Sequence, residues 1–393
     1  MISSFFVKYI SKIKCEINLY FIYYILCSVN ANNLHLVLTG EITWIKIVIA
    51  NNLHLQNTDW GVFMFNTKSK LLIFLMLFTL CLGLFAGCSK EKNTKNTKYS
   101  IVCTTFPQYD WVMKIIGDKS ESFSVTLLLD NGVDLHSYQP TAEDIATIAN
   151  CDLFIHVGGE SDAWVKDALK EKVNKDIQVI NMVEALGDRV KDEEIVEGME
   201  DNDEHGDEQQ HEDEHEKDEH IWLSLKNAEF LVKNIAEAIK KIDKEKESVY
   251  QRNSEDYIQQ LRNLDKEYEK AIAGASKKTI VFGDRFPFRY LADDYDLSYY
   301  AAFSGCSAET EASFETVVFL AKKVDELNLN TVFVIENSDK KIAQTIINNT
   351  KSKNQKILVM NSLQSVTKED IDKGTTYLSA MKNNLEVLIE SLK

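Results

Sequence analysis

The chain has 393 residues, 45% hydrophobic and 27% charged, with 44 basic against 61 acidic side chains and a formal net charge of −17 at pH 7. That balance lacks the basic surface needed to neutralise phosphates, which excludes nucleic acid as a partner; it suits attraction of cations. The length is enough for two lobes, each with its own core.

Residues 1–63 are rich in Ile, Asn, Leu and Tyr and repeat Ala-Asn-Asn-Leu-His-Leu at 31–36 and 50–55. A direct repeat without a structural period reads as translated upstream sequence, with Met64 as the natural start. Lys68 and Lys70 then precede an apolar run at 71–85, followed by Ala86-Gly87-Cys88-Ser89. A positive start, a short apolar centre and small residues before a cleavage point describe a secretory signal at 64–87. The run is shorter than the ~20 residues that span a bilayer. Leu84-Phe85-Ala86-Gly87-Cys88 is similar to a bacterial lipobox, although Phe85 stands where an aliphatic residue is usual. The expectation is a lipid on Cys88 and a protein anchored on the extracytoplasmic face of the cell membrane. Residues 88–98 read as a tether. With Cys88 lipidated, the chain beyond it keeps Cys103, Cys151 and Cys306, too few for a disulfide framework. Cys103 and Cys151 lie in apolar runs and read as buried thiols.

From residue 99 the pattern alternates. Residues 99–105 form a β-branched run leading through Phe106-Pro107 into helical spacing at 108–116, and 124–129 is a second strand. Thr141 caps a helix with acids in its first turn. Residues 152–157 and 177–183 read as strands and 163–170 as a helix. Strands alternating with helices imply a parallel sheet covered on both faces, here an N-terminal lobe over 99–190.

Residues 191–219 are nearly all acid, histidine, Lys, Gly and Gln, and predict a disordered loop. His205, His211 and His215 within it read as low-affinity metal bait. The next segment, 220–275, has no proline, and apolar residues recur at helical spacing from Phe230 to Ile272, predicting one long helix bent near Ser248 or Asn253. Alternation then restarts: strands at 279–282, 297–302, 331–335 and 356–360, helices at 286–293, 314–327, 340–350 and 377–392. This is a C-terminal α/β lobe over 276–393.

His136 follows the second strand and a glycine-containing turn, where a residue beyond a parallel strand's carboxyl end faces the ligand crevice. It could bind metal or cap the helix that follows. His220 opens His220-Ile221-Trp222-Leu223-Ser224 just after the acidic loop. His156, inside a strand, reads as a buried, hydrogen-bonded histidine.

The chain resembles the extracytoplasmic binding proteins of bacterial zinc and manganese ABC importers. The resemblance covers 99–393 and rests on His-Ser-Tyr-Gln-Pro-Thr-Ala-Glu-Asp-Ile at 136–145, Gly158-Gly159-Glu160 with Trp164, and the His220 motif. It rests also on Thr376-Tyr377-Leu378-Ser379-Ala380-Met381 with Asn384-Leu385 near the end. It implies an α/β fold of two Rossmann-like lobes joined by a rigid helix, with metal held between them by His136 and His220. The metal expected is Zn²⁺, with Mn²⁺ as the alternative; imidazole donors favour zinc. The partners implied are a membrane permease and its ATPase, with the receptor itself a monomer.

Members of this family usually place a histidine, sometimes an acid, after the first strand of the second lobe. Asp284 falls there, as ligand or as helix cap. The last strand is often followed by an aspartate, but here Asn361 offers only a neutral carbonyl oxygen. Glu311 and Glu336 are alternative acids, with Arg285 able to pair with one of them. No Gly-x-x-x-x-Gly-Lys-Ser/Thr, His-Glu-x-x-His or Gly-x-Ser-x-Gly is present, which favours a receptor over an enzyme. A secreted zinc hydrolase and a surface adhesin are the competing readings.

Overall fold

The structure, a computed structural model, describes residues 98–117, 121–199, 216–307 and 311–393. All belong to one compact unit, Asn93–Lys393. Cys88, the signal, and His205, His211 and His215 lie outside the described residues.

The first lobe is a four-stranded parallel sheet. Strands β1 (Tyr99–Cys103), β2 (Phe123–Leu127), β3 (Leu153–His156) and β4 (Gln178–Asn181) lie in the order β2-β1-β3-β4. Helices α1 (Phe106–Ile116), α2 (Ala142–Asn150), α3 (Val165–Ala168) and α4 (Met182–Leu186) connect and follow them. The four residues of β3 are all buried, as expected of a parallel strand covered on both faces. Thr141 caps α2 as anticipated: its hydroxyl accepts from the Asp144 amide, and Asp144 accepts from the Thr141 amide at 2.8 Å.

Two helices follow, not one. Helix α5 (Leu225–Ile242) ends at Asp243, a 3-10 turn covers Lys244–Lys246, and α6 (Glu247–Ala273) packs back against α5. The expected single helix with a bend near Ser248 or Asn253 is therefore corrected. Asp243 leaves helical geometry (φ −118°, ψ 82°), and its buried carboxylate accepts from the Tyr250 hydroxyl at 2.6 Å. The run Asp243-Lys244-Glu245-Lys246 carries no apolar side chain to hold a continuous helix against the core, so the turn is free to form there.

The second lobe repeats the first. Strands β5 (Thr279–Phe286), β6 (Ser298–Ser304), β7 (Thr331–Ile335) and β8 (Lys356–Met360) lie in the order β6-β5-β7-β8, all parallel. Its helices are α7 (Arg289–Asp294), α8 (Phe314–Glu326), α9 (Lys341–Asn349), α10 (Lys368–Asp372) and the terminal α11 (Tyr377–Ser391). A register shift between Phe282 and Arg285 carries β5 through Phe286, so the helix expected from 286 begins at Arg289. Phe286 and Phe288 are held instead in an aromatic cluster around Phe282.

One buried cluster runs from Ile101 to Leu392 through both lobes. At its centre the Tyr377 hydroxyl donates to the Trp222 carbonyl at 2.6 Å, Trp222 Nε1 donates to the Ser362 carbonyl at 2.8 Å, and the Trp111 ring meets Tyr377 edge-on. Among the described residues no helix is long and apolar enough to cross a membrane.

The disordered loop expected over 191–219 is corrected where the segment is described. Residues 191–199 and 216–219 are ordered: Asp192 and Lys217 form an antiparallel bridge, Arg289 pairs with Glu194, and Lys323 pairs with Glu197 at 3.3 Å. Val196 and Met199 pack on the core. These two apolar side chains and the basic partners on the second lobe supply what the acidic composition alone lacks.

Candidate metal centre

Each sheet places its first strand between the second and third, so the order of strand addition switches sides at β1 and at β5. The carboxyl ends of strands at such a switch point are where open parallel sheets bind ligands. His136 stands there, in a 3-10 turn at Leu135–Ser137 after β2. Asp134 caps that turn, accepting from the His136 amide at 3.0 Å. Tyr138 donates to Asp144 at 2.9 Å and packs edge-on against Trp164, which ties the turn to α2 and to the loop after β3.

Ser161, after β3, lies 2.8 Å from His136 Nδ1 through its hydroxyl oxygen. Glu219 Oε1 accepts from the Ser161 amide at 2.9 Å, while Oε2 is buried without a hydrogen bond, 3.9 Å from His136 Nδ1. Gly159 is needed for this: its φ is +83°, and a Cβ there would sit 2.4 Å from the Glu219 carboxylate.

His220 is fully buried. Asp218 accepts from its amide at 2.8 Å and lies 3.0 Å from its Nδ1. A carboxylate holding one ring nitrogen fixes the tautomer and presents the other nitrogen. Asp218 is itself anchored: the Tyr290 hydroxyl donates to its carbonyl at 2.8 Å, and its amide donates to the Lys191 carbonyl.

The two Nε2 atoms converge and share a hydrogen bond. His136 Nε2 and His220 Nε2 are 3.2 Å apart. The Cys306 thiol completes the group, the ligand atoms of the three residues all lying within 4.8 Å of one another. Burial, then the neighbouring His220, hold His136 down to about 3, so its imidazole stays neutral. Burial opposes charge on His220 too, but Asp218, by charge and hydrogen bond, with Glu219 and Glu193, raises it above the ordinary value. Burial and the acids Glu193, Asp218 and Glu219 push the Cys306 thiol up, so a cation must displace its proton.

The other anticipated ligands stand apart from this cluster. Asp284 lines the same cleft as His136, a cavity of about 450 Å³ between the lobes, but its Oδ1 accepts from the Arg285 amide at 2.9 Å. Asn361 Oδ1 accepts from the Leu363 amide at 2.7 Å, and its main chain is bound on both sides by Asn384. It turns the chain after β8. Glu311 is exposed. Glu336 lines the cleft with both oxygens taken by Ser362, amide and hydroxyl, at 2.6 Å each. Arg285 pairs with neither acid; it donates to Asp134 at 2.7 Å, and that carboxylate neutralises its positive charge beside the cluster. His156 is buried in β3 with Asp162 at 3.2 Å, as the sequence suggested. Cys103 and Cys151 are buried and unpaired.

Sequence reasoning missed Cys306, Ser161, Asp218 and Glu219. The last two are adjacent to His220, where Asp218-Glu219-His220 could have been separated from the acidic run by the apolar residues that follow it.

Two parallel α/β lobes with imidazole donors converging on the cleft between them define a metal-binding protein of the two-lobe receptor class. The profile of the periplasmic component A of zinc-uptake complexes matches residues 101–391, and the chain belongs to that family. It is 32% identical over 323 residues to the high-affinity zinc uptake system protein ZnuA of Bacillus subtilis, covering 81% of this chain and 97% of that one. It is 31% identical over 316 residues to the zinc-binding lipoprotein AdcA of Streptococcus pneumoniae, covering 80% of this chain but 60% of that protein. Among solved structures, the metal-dependent lipoprotein YcdH of Bacillus subtilis aligns with a TM-score of 0.60 at 30% identity, over 75% of this chain and 99% of that one. The Zn(II)-bound ZnuA-like domain of Streptococcus pneumoniae AdcA aligns with a TM-score of 0.58 at 28% identity, over 75% and 99%.

Proposed function

We propose that this protein captures Zn²⁺ between its lobes through His136 and His220 and delivers it to a membrane permease driven by an ATPase. The observation that carries the reading is the 3.2 Å separation of two Nε2 atoms whose rings are each held from the Nδ1 side. Two nitrogens bound to one tetrahedral zinc at ~2.05 Å stand about 3.3 Å apart, so the site needs almost no rearrangement to accept the ion. The unbonded Glu219 oxygen and the Asp218 carboxylate supply negative charge beside it.

Protons compete with the metal for the same nitrogens. Since the His220 value is raised, His220 is neutral and available above it and takes a proton as pH falls through it. Zinc affinity is therefore expected to weaken on acidification, by up to tenfold per pH unit for each displaced proton. Chelator competition between about pH 7.5 and pH 5.5 measures this. An affinity that stays flat across that range counts against imidazole capture.

The anchor we propose is a lipid on Cys88, supported by the signal-like segment before it. A fatty-acid label is expected on the protein made in cells, and Cys88→Ala should lose the label and leave the membrane fraction. Retention of both by the variant would mean that the chain is held another way. The histidines at 205, 211 and 215 would gather zinc weakly, a role tested by deleting residues 200–215 and counting weak sites.

A further inference from the structure

We propose that Cys306 is the metal ligand contributed by the second lobe, making the site a His₂Cys set that selects Zn²⁺ and softer divalent ions over Mn²⁺. The inference rests on the receptor reading and adds the donor that sets its specificity.

Four observations carry it. The thiol sulfur lies within 4.8 Å of both imidazole donors, and this is the one group of three such donors found among the described residues. Its loop is built, not incidental: Glu193 Oε1 accepts from the Cys306 amide at 2.8 Å. Gly305 allows the loop to run against the His220 ring, because a Cβ there would stand 3.0 Å from Cε1 and 3.1 Å from Nδ1. Finally, Asp284 of β5 lies outside this donor group, and Arg285 beside it is a cation committed to Asp134. The neighbouring strand β6, paired to β5 through Phe286 and Ser304, delivers Cys306 two residues beyond its last one.

The chemistry follows from the donor set. On binding, the S–H bond breaks, the sulfur gives an electron pair to the ion, and the proton leaves to solvent. Thiolate is a soft donor that suits Zn²⁺, whereas Mn²⁺ prefers oxygen. Two imidazoles and one thiolate leave the fourth tetrahedral position open for water.

The test uses Co²⁺ as a spectroscopic probe on the purified protein. A near-ultraviolet thiolate-to-cobalt charge-transfer band is expected, together with visible bands of a tetrahedral ion. Cys306→Ser should lose the charge-transfer band, keep a weaker visible spectrum, bind zinc roughly tenfold or more weakly, and lower the preference for Zn²⁺ over Mn²⁺. Cys306→His should recover zinc affinity without the charge-transfer band, which separates loss of a donor from loss of fold. Cobalt bound through His136 with no charge-transfer band, or an unchanged Cys306→Ser spectrum, overturns the thiolate assignment and leaves the receptor reading standing. Cobalt and zinc binding that ignore His136→Ala overturn both.

Discussion

His136→Ala is expected to abolish tight zinc binding while leaving the metal-free protein folded. The side chain is 11% exposed and caps nothing: Asp134 bonds the His136 main chain, which alanine keeps. Removing the ring frees the part-buried Ser161 hydroxyl, whose partner water can replace. The metal-free stability should therefore move by no more than about 1 kcal/mol. The metal loses one of two preorganised nitrogens. Groups that merely orient a ligand are worth about 10–100-fold in affinity, so a ligand itself should cost more than ~100-fold. Calorimetric titration reads the affinity directly. Thermal unfolding reads it independently, since an ion bound only by the folded state adds about 4 kcal/mol at a thousandfold excess over its dissociation constant. That zinc-dependent rise should vanish in the variant. Tight binding that survives would remove His136 from the site.

Trp222→Ala is expected to have the opposite profile, a large stability loss with or without zinc. The indole is fully buried, and its Nε1 donates to the Ser362 carbonyl across 140 residues of sequence. Truncating a buried tryptophan costs about 3–5 kcal/mol, and the orphaned carbonyl adds to that. Against a total of about 5–15 kcal/mol, this is a substantial fraction. For a domain of this size the midpoint should fall by roughly 10 °C. Trp222→Phe, which keeps most of the packing and loses only the N–H, should recover more than half of the loss. Denaturant titration of the metal-free variants separates the cases; a Trp222→Ala protein as stable as the parent would mean that the buried cluster is not what joins the lobes.

The eight strands were legible because each is a short run rich in branched or aromatic residues, buried throughout in the central strands β3 and β7 and partly covered in the edge strands β2, β4 and β8. His136 and His220 were legible because each stands alone at the edge of a structured segment. The helix break at Asp243 was not, since neither glycine nor proline marks it and the signal is only a gap in apolar spacing. Asp284 and Asn361 were plausible by their place after strands, but their side chains bond neighbouring amides, and such local turns depend on φ and ψ. Cys306 was hidden because its relation to His220 arises from the pairing of β5 with β6, a contact between distant parts of the chain.

Asp110 of α1 is buried, and its carboxylate accepts from the Tyr257 hydroxyl and from the Tyr377 amide, 267 residues further along. Burial raises its affinity for a proton, and Lys114 and those two donors offset this only in part. The first lobe therefore cannot close its own surface when it is made. Its final partner is the start of α11, which is synthesised 267 residues later. Loop closure over such a distance is slow, so a growing chain carries an unfinished apolar face for nearly its whole length. Losing α11 should therefore leave the N-terminal lobe unsealed even though every residue of its own sheet is present.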